Sequence, residues 1–141
     1  MNEYTFDQIS VGMTETFTKE ITLEMEDAFR LISGDENPLH KDDEYTQMIG
    51  EDKFKQHVSF GMLTASLYST MAGMYLPGKY SLIHSLDIKF QKPVFAGDVL
   101  TVTGIVMGMQ EALKLLEVKV KILNQQQQCV SKADMKILVL K

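Results

Sequence analysis

The stretch from Phe60 to Tyr75 restricts the fold of this chain more than any other feature. It contains ten apolar residues distributed around the whole helical wheel, and no charged residue. Apolar side chains stabilise a fold only when they leave water, so such a helix has to be covered on most sides. We therefore predict a helix over 60–75 that lies inside the domain.

Strand patterns follow this helix and can supply the cover. Apolar and polar residues alternate with the period of two that is typical of half-buried strands. The predicted strands cover residues 80–90, 99–109, 116–122 and 129–140. In the first of them, one face carries Leu82, His84, Leu86, Ile88 and Phe90. A polar turn at Gln125–Gln128 separates the last two strands, and we predict that the C-terminal half is an antiparallel meander.

The N-terminal part adds one strand and one helix. A strand is predicted over 14–21, and Thr22 is well placed to cap a helix whose first turn is acidic. The helix should end near Gly34. Its predicted buried stripe consists of Met25, Ala28, Phe29 and Ile32.

These elements indicate an α+β fold in which an antiparallel β-sheet wraps around a long central α-helix. At 141 residues, the chain has the length of a single domain spanning 1–141. A sheet that wraps one helix keeps an exposed edge and some apolar surface. We therefore expect a homodimer, or a larger oligomer, in which two copies cover that surface.

Charge and cysteine content exclude several classes of protein. The 14 basic and 19 acidic residues give a net charge of -5 without a basic stripe, which argues against nucleic-acid binding. A single cysteine, Cys129, excludes an internal disulfide and a cysteine-built metal site. Residues 1–11 do not read as a signal peptide, and Ser and Thr residues interrupt the apolar stretch 58–77. We expect a cytoplasmic protein without a membrane span.

A carboxylate and an imidazole flank a proline-containing turn after the first helix. Asp35 and His40 lie five residues apart in the segment SGDENPLH. Histidine titrates near neutral pH, and a nearby aspartate can hold or accept a proton, so the pair suits acid–base chemistry. The same residues also suit an ordinary solvated turn, so the segment alone leaves both interpretations open.

Gly61 lies at the start of the predicted central helix, in the segment VSFGML. The first backbone N–H groups of a helix lack partners within it, and they can stabilise negative charge that develops on a carbonyl oxygen. Close helix packing would also explain a glycine here, so this residue is a candidate only.

Several segments together resemble one family. The segments are SGDENPLH, VSFGML with ASLYS, LPGK and FQKPVFAGD. Their order and spacing resemble those of the MaoC-like (R)-specific enoyl-CoA hydratases and acyl dehydratases. The resemblance covers about Phe29 to Val102 and implies the hot-dog fold, an antiparallel sheet around a central helix. It also implies a hydro-lyase that adds water to a trans-2-enoyl-CoA or dehydrates an (R)-3-hydroxyacyl-CoA.

The resemblance assigns roles to individual residues. Asp35 and His40 match the catalytic pair, and the amide of Gly61 matches the donor to the thioester oxygen. Asn37 and Ser69 match supporting positions. Many members have V-H-G-M where this chain has Ser59-Phe60-Gly61-Met62, so Phe60 replaces a common histidine. We expect the chemistry to survive and the pocket to become more apolar.

The substrate handle would be anionic, either coenzyme A or an acyl carrier protein. Lys79 and Lys92 are weak candidates for contacting it. No cofactor is expected apart from coenzyme A as part of the substrate. No metal is expected either, because the three histidines lack ligand spacing; His57 and His84 are expected to be structural.

Other functions of the same fold remain to be weighed. A dehydratase of carrier-bound intermediates would use the same residues with another handle. A non-catalytic acyl-thioester-binding protein has no need of both Asp35 and His40. A thioesterase is disfavoured because the resemblance places its carboxylate in the central helix, where residues 61–75 contain no Asp or Glu.

Overall fold

The computed structural model describes all 141 residues as one five-stranded antiparallel sheet with three helices. The strands are β1 (Thr14–Glu20), β2 (Ser81–Phe90), β3 (Val99–Gln110), β4 (Leu115–Leu123) and β5 (Cys129–Val139). The helices are α1 (Leu23–Ser33), α2 (Asp43–Ile49) and α3 (Gly61–Thr70), which continues as a wider π-helical turn over Met71–Tyr75. The architecture is the predicted α+β hot-dog arrangement. None of the helices is long and apolar enough to cross a bilayer.

The strand order corrects one topological prediction. The sheet runs β1-β3-β4-β5-β2, so only β3, β4 and β5 form a meander. Strand β2 pairs with β5 rather than with β3, which follows it in sequence, and it becomes an outer edge. The segment 91–98 between β2 and β3 is too long for a tight hairpin. Alternating hydrophobicity defines strands but not their partners, which is why the prediction of a meander from β2 onward was wrong.

The central helix α3 packs one broad face against the sheet. Tyr68 is fully buried, and its hydroxyl lies 2.6 Å from Ser131 Oγ on β5. Ser131 in turn donates to the carbonyl of Lys89 on β2 (2.9 Å), so one network joins the helix to two strands. Burial raises the pKa of Tyr68 to about 12, which keeps its hydroxyl neutral. The helix is not covered all round: an exposed stripe contains Met62, Ser66 and Ser69.

Helix α1 begins and ends as predicted. The Thr22 side chain accepts a hydrogen bond from the amide of Met25 (3.2 Å). Gly34 ends the helix at φ 71°, a left-handed conformation that glycine adopts without steric cost.

The predicted buried stripe of α1 is only half right. Met25 and Phe29 pack on the core, but Ala28 is exposed and Ile32 is 83% exposed. Glu26 is buried instead, at 1% exposure. Its carboxylate has a histidine partner in the interior. Because this contact compensates for burying the carboxylate, α1 presents a different face to the core than hydrophobicity alone suggests.

Strand β2 contains a bulge at His84 that the alternating pattern concealed. The pairing with β5 shifts between Ile83 and Ser85, which leaves His84 as the extra residue. A bulge exchanges the two faces of a strand. Ile83 therefore shares the inner face with Leu86, whereas Leu82 lies on the outer face, contrary to the predicted single stripe. Leu82, Leu86 and Phe90 remain 52%, 40% and 52% exposed.

Candidate active site

The turn that carries Asp35 and His40 is fixed by its own side chains. Oδ1 of Asp35 accepts a hydrogen bond from the amide of Asn37 (3.0 Å). Oδ1 of Asn37 in turn accepts from the amide of Leu39 (3.0 Å) and caps a single 3-10 turn over Pro38–His40. Short side chains that bond to the backbone two residues ahead are what Asp and Asn provide in turns. The sequence DENPLH therefore builds a rigid support for His40.

The ring of His40 is oriented by a backbone carbonyl. Its Nδ1 atom lies 2.7 Å from the carbonyl oxygen of Val58. Because a carbonyl oxygen only accepts, Nδ1 carries the proton in this contact. The neutral ring therefore has Nε2 free to accept a proton.

Asp35, His40 and the start of α3 line one cleft. Its volume is about 250 Å³. The lining residues are Phe29, Ser33, Asp35, His40, Phe60, Gly61, Met62 and Phe90. Residues 35 and 61 are far apart in sequence, so the fold brings together the carboxylate, the imidazole and the helix terminus that were singled out separately.

Phe60 packs beneath the turn that carries His40. It is 2% exposed, and its ring centroid lies 4.4 Å from that of His40 and 5.0 Å from that of Phe29. The guanidinium carbon of Arg30 is 5.7 Å from the same centroid, and Arg30 also donates to the carbonyl of His40 (3.1 Å). Phe60 thus gives the cleft an apolar wall next to the imidazole.

The first backbone N–H groups of α3 are free to donate hydrogen bonds to a ligand. Neither the Gly61 nor the Met62 amide donates to an acceptor within the protein. Gly61 is also where the cleft is tight, since a Cβ atom there would lie 3.3 Å from the ring of Phe90. The glycine keeps space open beside its own N–H group.

A second cavity of about 330 Å³ adjoins the first and shares His40, Gly61 and Phe90 with it. Ser59 and Thr64 line it, each 2% exposed, and neither hydroxyl has a hydrogen-bond partner in the protein. The other lining residues are Val58, Gln91, Lys92, Pro93, Val94 and Val130. The two cavities therefore lie on either side of the same residues, His40, Gly61 and Phe90.

Two of the predicted site residues lie elsewhere. Ser69 is exposed two helical turns beyond Gly61 and lines neither cavity. Lys79 contacts Glu3 (3.1 Å), which raises the pKa of its ammonium group. Lys92, in contrast, lies at the cavity that contains His40. The two cavities therefore include Asp35, His40, Gly61 and Lys92, whereas Asn37 is tied to them only through its bond to Asp35. Neither Ser69 nor Lys79 lines them.

Sequence reasoning missed several residues of this site. Phe90 lines both cavities, although it was assigned only to a strand face. Val58 was missed because it acts through its carbonyl, which no side-chain pattern reveals. Ser59 was missed because a serine before a helix is usually an exposed cap, and only the structure shows it to be buried.

The rest of the molecule's surface adds neither a metal-ligating group nor a further cavity to this site. No group of three or more His, Cys, Asp or Glu side chains is placed to hold a metal ion. A cavity of about 500 Å³ is lined by strand residues such as Leu86, Glu117 and Lys136, and includes neither Asp35 nor His40.

Comparison with known proteins identifies the family. The profile described as MaoC like domain matches residues 8–127. The chain belongs to the MaoC-like domain family. Among solved MaoC-like relatives, the (R)-hydratase from Aeromonas caviae involved in PHA biosynthesis superposes with a TM-score of 0.86 at 28% identity, over 93% of this chain and 97% of the other. The unliganded R-hydratase from Pseudomonas aeruginosa gives 0.87 at 26% identity, over 96% and 84%.

Curated MaoC-like relatives carry two related names. The (R)-specific enoyl-CoA hydratase of Aeromonas caviae is 32% identical over 117 residues, which cover 83% of this chain and 85% of the relative. The 3-hydroxybutyryl-CoA dehydratase of Methylorubrum extorquens is 33% identical over 97 residues. That match covers 69% of this chain but only 60% of the longer relative.

Proposed function

We propose that this protein is a hydro-lyase that adds water to trans-2-enoyl-CoA thioesters, or removes it from (R)-3-hydroxyacyl-CoA. The observation that carries the proposal is the single cleft in which Asp35, His40 and the free amide of Gly61 meet. The hydratase and dehydratase names of the curated relatives support the same reaction.

Asp35 and His40 act on the water molecule. The carboxylate of Asp35 and the bare Nε2 atom of His40 accept hydrogen bonds from it. As its oxygen bonds to the β-carbon of the enoyl group, one O–H bond breaks and the proton passes to the pair. The pair then delivers a proton to the α-carbon. One water molecule is consumed, and no electrons are gained or lost.

The amide of Gly61 stabilises the intermediate charge. When water attacks the β-carbon, negative charge moves through the double bond to the thioester oxygen. A preorganised N–H group aimed at that oxygen binds the enolate-like state more tightly than the ground state. Removing one such donor typically costs about a hundredfold to a thousandfold in rate.

The thioester handle leaves the cleft past Lys92 in this proposal. Its ammonium group can meet an anionic handle near the cavity that contains His40. Lys79 joins that contact only with a handle that reaches its exposed position beside Glu3.

The reaction requires no metal or redox cofactor. We place the enzyme in the cytoplasm, since Cys129 is a free thiol.

A homodimer completes the proposal. Strand β2 is an outer edge of the sheet, and exposed apolar side chains lie along it at Leu82, Leu86 and Phe90. Met62 on α3 adds another apolar side chain that is 59% exposed. An exposed edge strand with apolar side chains favours pairing with a second copy. Ser69 lies on the same open stripe of α3, where pairing would bury it.

The test is to incubate the purified protein with crotonyl-CoA and longer trans-2-enoyl-CoA thioesters, and to follow enone absorbance together with product mass. A hydratase removes the absorbance and yields a product heavier by one water molecule, with the (R) configuration. Release of free thiol without water addition would indicate a thioesterase and contradict the proposal.

The same substrates carried on an acyl carrier protein distinguish the handle. The mitochondrial 3-hydroxyacyl-[acyl-carrier-protein] dehydratase of Arabidopsis thaliana is 30% identical over 113 residues, which motivates this second arm. Turnover of the carrier-bound thioesters alone would replace coenzyme A by the carrier protein. Tight binding of both kinds of thioester without turnover would instead indicate an acyl-thioester-binding protein.

A further inference from the structure

Three titratable side chains form a cluster close to the catalytic turn that the hydration step does not use. Nε2 of His57 lies 2.8 Å from Oε2 of Glu26 on α1, and Nδ1 lies 2.7 Å from Oδ1 of Asp43 on α2. The side chains of Glu26 and His57 are only 2% and 13% exposed. A buried carboxylate is costly unless it is paired, so this cluster needs an explanation.

A cationic ring satisfies both contacts when the two carboxyl groups are ionised. Carboxylate oxygens only accept, so both ring nitrogens are satisfied together when the imidazole carries two protons. Burial alone would lower the pKa of His57, but its hydrogen bonds to Glu26 and Asp43 outweigh burial and raise it. The backbone amide of His57 also donates to Asp43 Oδ1 (2.7 Å), and this bond and the ring contact lower the pKa of Asp43. Glu20 and Glu24 line one cavity together with His57 and Asp43, and they add negative charge around the His57 ring.

His57 is covalently joined to the peptide that orients His40. The next residue, Val58, accepts the Nδ1–H of His40 through its carbonyl (2.7 Å). The amide of Val58 donates to the carbonyl of Leu39 (3.0 Å), directly before His40. The hydroxyl of Thr46 on α2 lies 3.2 Å from that same Leu39 carbonyl and 2.8 Å from the carbonyl of Asp42, so its one proton is shared between them. The 57–58 segment is therefore held by α1 and α2 on one side and contacts the catalytic turn on the other.

We propose that His57 is a positioning residue for hydration: its paired contacts with Glu26 and Asp43 hold the Val58 carbonyl where it fixes the ring and tautomer of His40. The inference rests on the proposed function, because it concerns the same reaction. It assigns a role to a histidine that was expected to be structural. Displacing a reacting group by about 1 Å can cost on the order of a hundredfold in rate, so a support at one remove from the chemistry has a measurable effect.

The variants are His57→Ala and His57→Gln, with Ile122→Val as control. Alanine removes both contacts, whereas a glutamine amide can still donate to Glu26. Ile122 is fully buried in β4 and takes no part in the 57–58 segment, so its truncation lowers stability without touching the support. All variants are assayed on crotonyl-CoA below their melting temperatures, with kcat and KM determined separately.

The expected result is a fall in kcat of roughly tenfold to a hundredfold for His57→Ala, with KM changed by less than about threefold. His57→Gln should recover part of that loss, and Ile122→Val should keep the wild-type kcat. A wild-type kcat in folded His57→Ala would overturn the inference. So would a loss in Ile122→Val equal to that in His57→Ala, because the effect would then follow stability alone.

A spectroscopic readout separates this inference from the proposed function. Nitrogen-15 spectra of labelled histidine report which ring nitrogen of His40 carries the proton, whether or not a substrate is turned over. The wild type should show the Nδ1–H tautomer, and His57→Ala should show a mixture of tautomers. An unchanged Nδ1–H signal in His57→Ala would overturn the inference. If the wild type is inactive on every thioester, but the His40 tautomer still changes from wild type to His57→Ala, only the hydratase proposal is contradicted.

Discussion

The Nδ1 atom of His40 lies 2.7 Å from the carbonyl oxygen of Val58, the third residue before the central helix. This contact joins the two halves of the site, because the turn that carries His40 meets the segment that leads to Gly61. It also fixes which ring nitrogen is free. The acid–base role proposed for His40 depends on that orientation as much as on the presence of an imidazole.

His40→Gln tests the base. The substituted side chain can donate a hydrogen bond but cannot take up a proton, so we expect kcat/KM for hydration to fall by about a hundredfold to ten-thousandfold. The pH–rate profile should also lose the limb due to the histidine. Circular dichroism and the melting temperature provide the folding control. A folded variant with a wild-type profile would exclude His40 from proton transfer.

Gly61→Ala tests the space beside the amide donor. A Cβ atom there would approach the Phe90 ring to 3.3 Å, so either the ring moves by a few tenths of an ångström or the cleft narrows. Since the N–H group itself is kept, we expect a lower kcat/KM with a melting temperature close to that of the wild type. Combining the change with Phe90→Leu, which removes the ring, should restore part of the activity. No loss in Gly61→Ala would indicate either that the Phe90 ring has moved aside or that substrate does not approach this amide, and a bulkier Gly61→Val change that also keeps full activity would establish the second.

The sequence predicts the elements of this fold better than their partners and faces. The central helix, the Thr22 cap and the Gly34 terminus follow from local composition, and the structure confirms them. The β2–β5 pairing could not be predicted, because a strand pattern does not name its neighbour. The bulge at His84 was hidden for a similar reason, since one extra residue exchanges the faces without changing the composition.

The site shows the same division. Asp35, His40 and Gly61 were recognised from their residue types and order, and the fold brings them to one cleft. The Val58 contact depends on a backbone carbonyl, and the burial of Glu26 depends on a histidine 31 residues away. Neither interaction leaves a periodic signal in the sequence. Ser69 was assigned by resemblance alone, and in the single chain it is exposed.

The His57 cluster predicts how stability depends on pH. The pKa of His57 is raised in the folded protein above its usual value of 6.5. Its contribution to the free energy of unfolding is therefore complete below pH 6.5, and it is lost as the pH rises through the higher pKa of the folded state. The lowered pKa of Asp43 makes its contribution complete above 3.8 and removes it as the pH falls through the lower folded value. Denaturant unfolding should therefore show the largest stability difference between wild type and His57→Gln between these two pH values. A difference that is constant from pH 4 to pH 9 would show that the ring is not protonated preferentially in the folded state.

The exposed edge of the sheet predicts that the wild type is a dimer and that charged substitutions on β2 weaken it. The wild type should have twice the 16.0 kDa chain mass in light scattering at micromolar concentration. Charges introduced by Leu82→Lys on the outer face of β2 and by Leu86→Lys on its inner face should shift it toward the monomer mass, because a partner that covers either face of this edge would then have to bury an ammonium group. Lys121→Ser on β4, away from the edge strand, serves as the control. A wild type that is monomeric under these conditions would contradict the homodimer.

The most direct test of the hydratase account is the initial rate of crotonyl-CoA hydration by the wild type and by Asp35→Asn. Asparagine keeps an oxygen that can accept from the amide of Asn37, so the turn is preserved while the carboxylate is lost. The account predicts that the wild type consumes the enone and forms (R)-3-hydroxybutyryl-CoA, and that Asp35→Asn is at least about a hundredfold slower with an unchanged melting temperature. A folded Asp35→Asn variant that hydrates as fast as the wild type would contradict it.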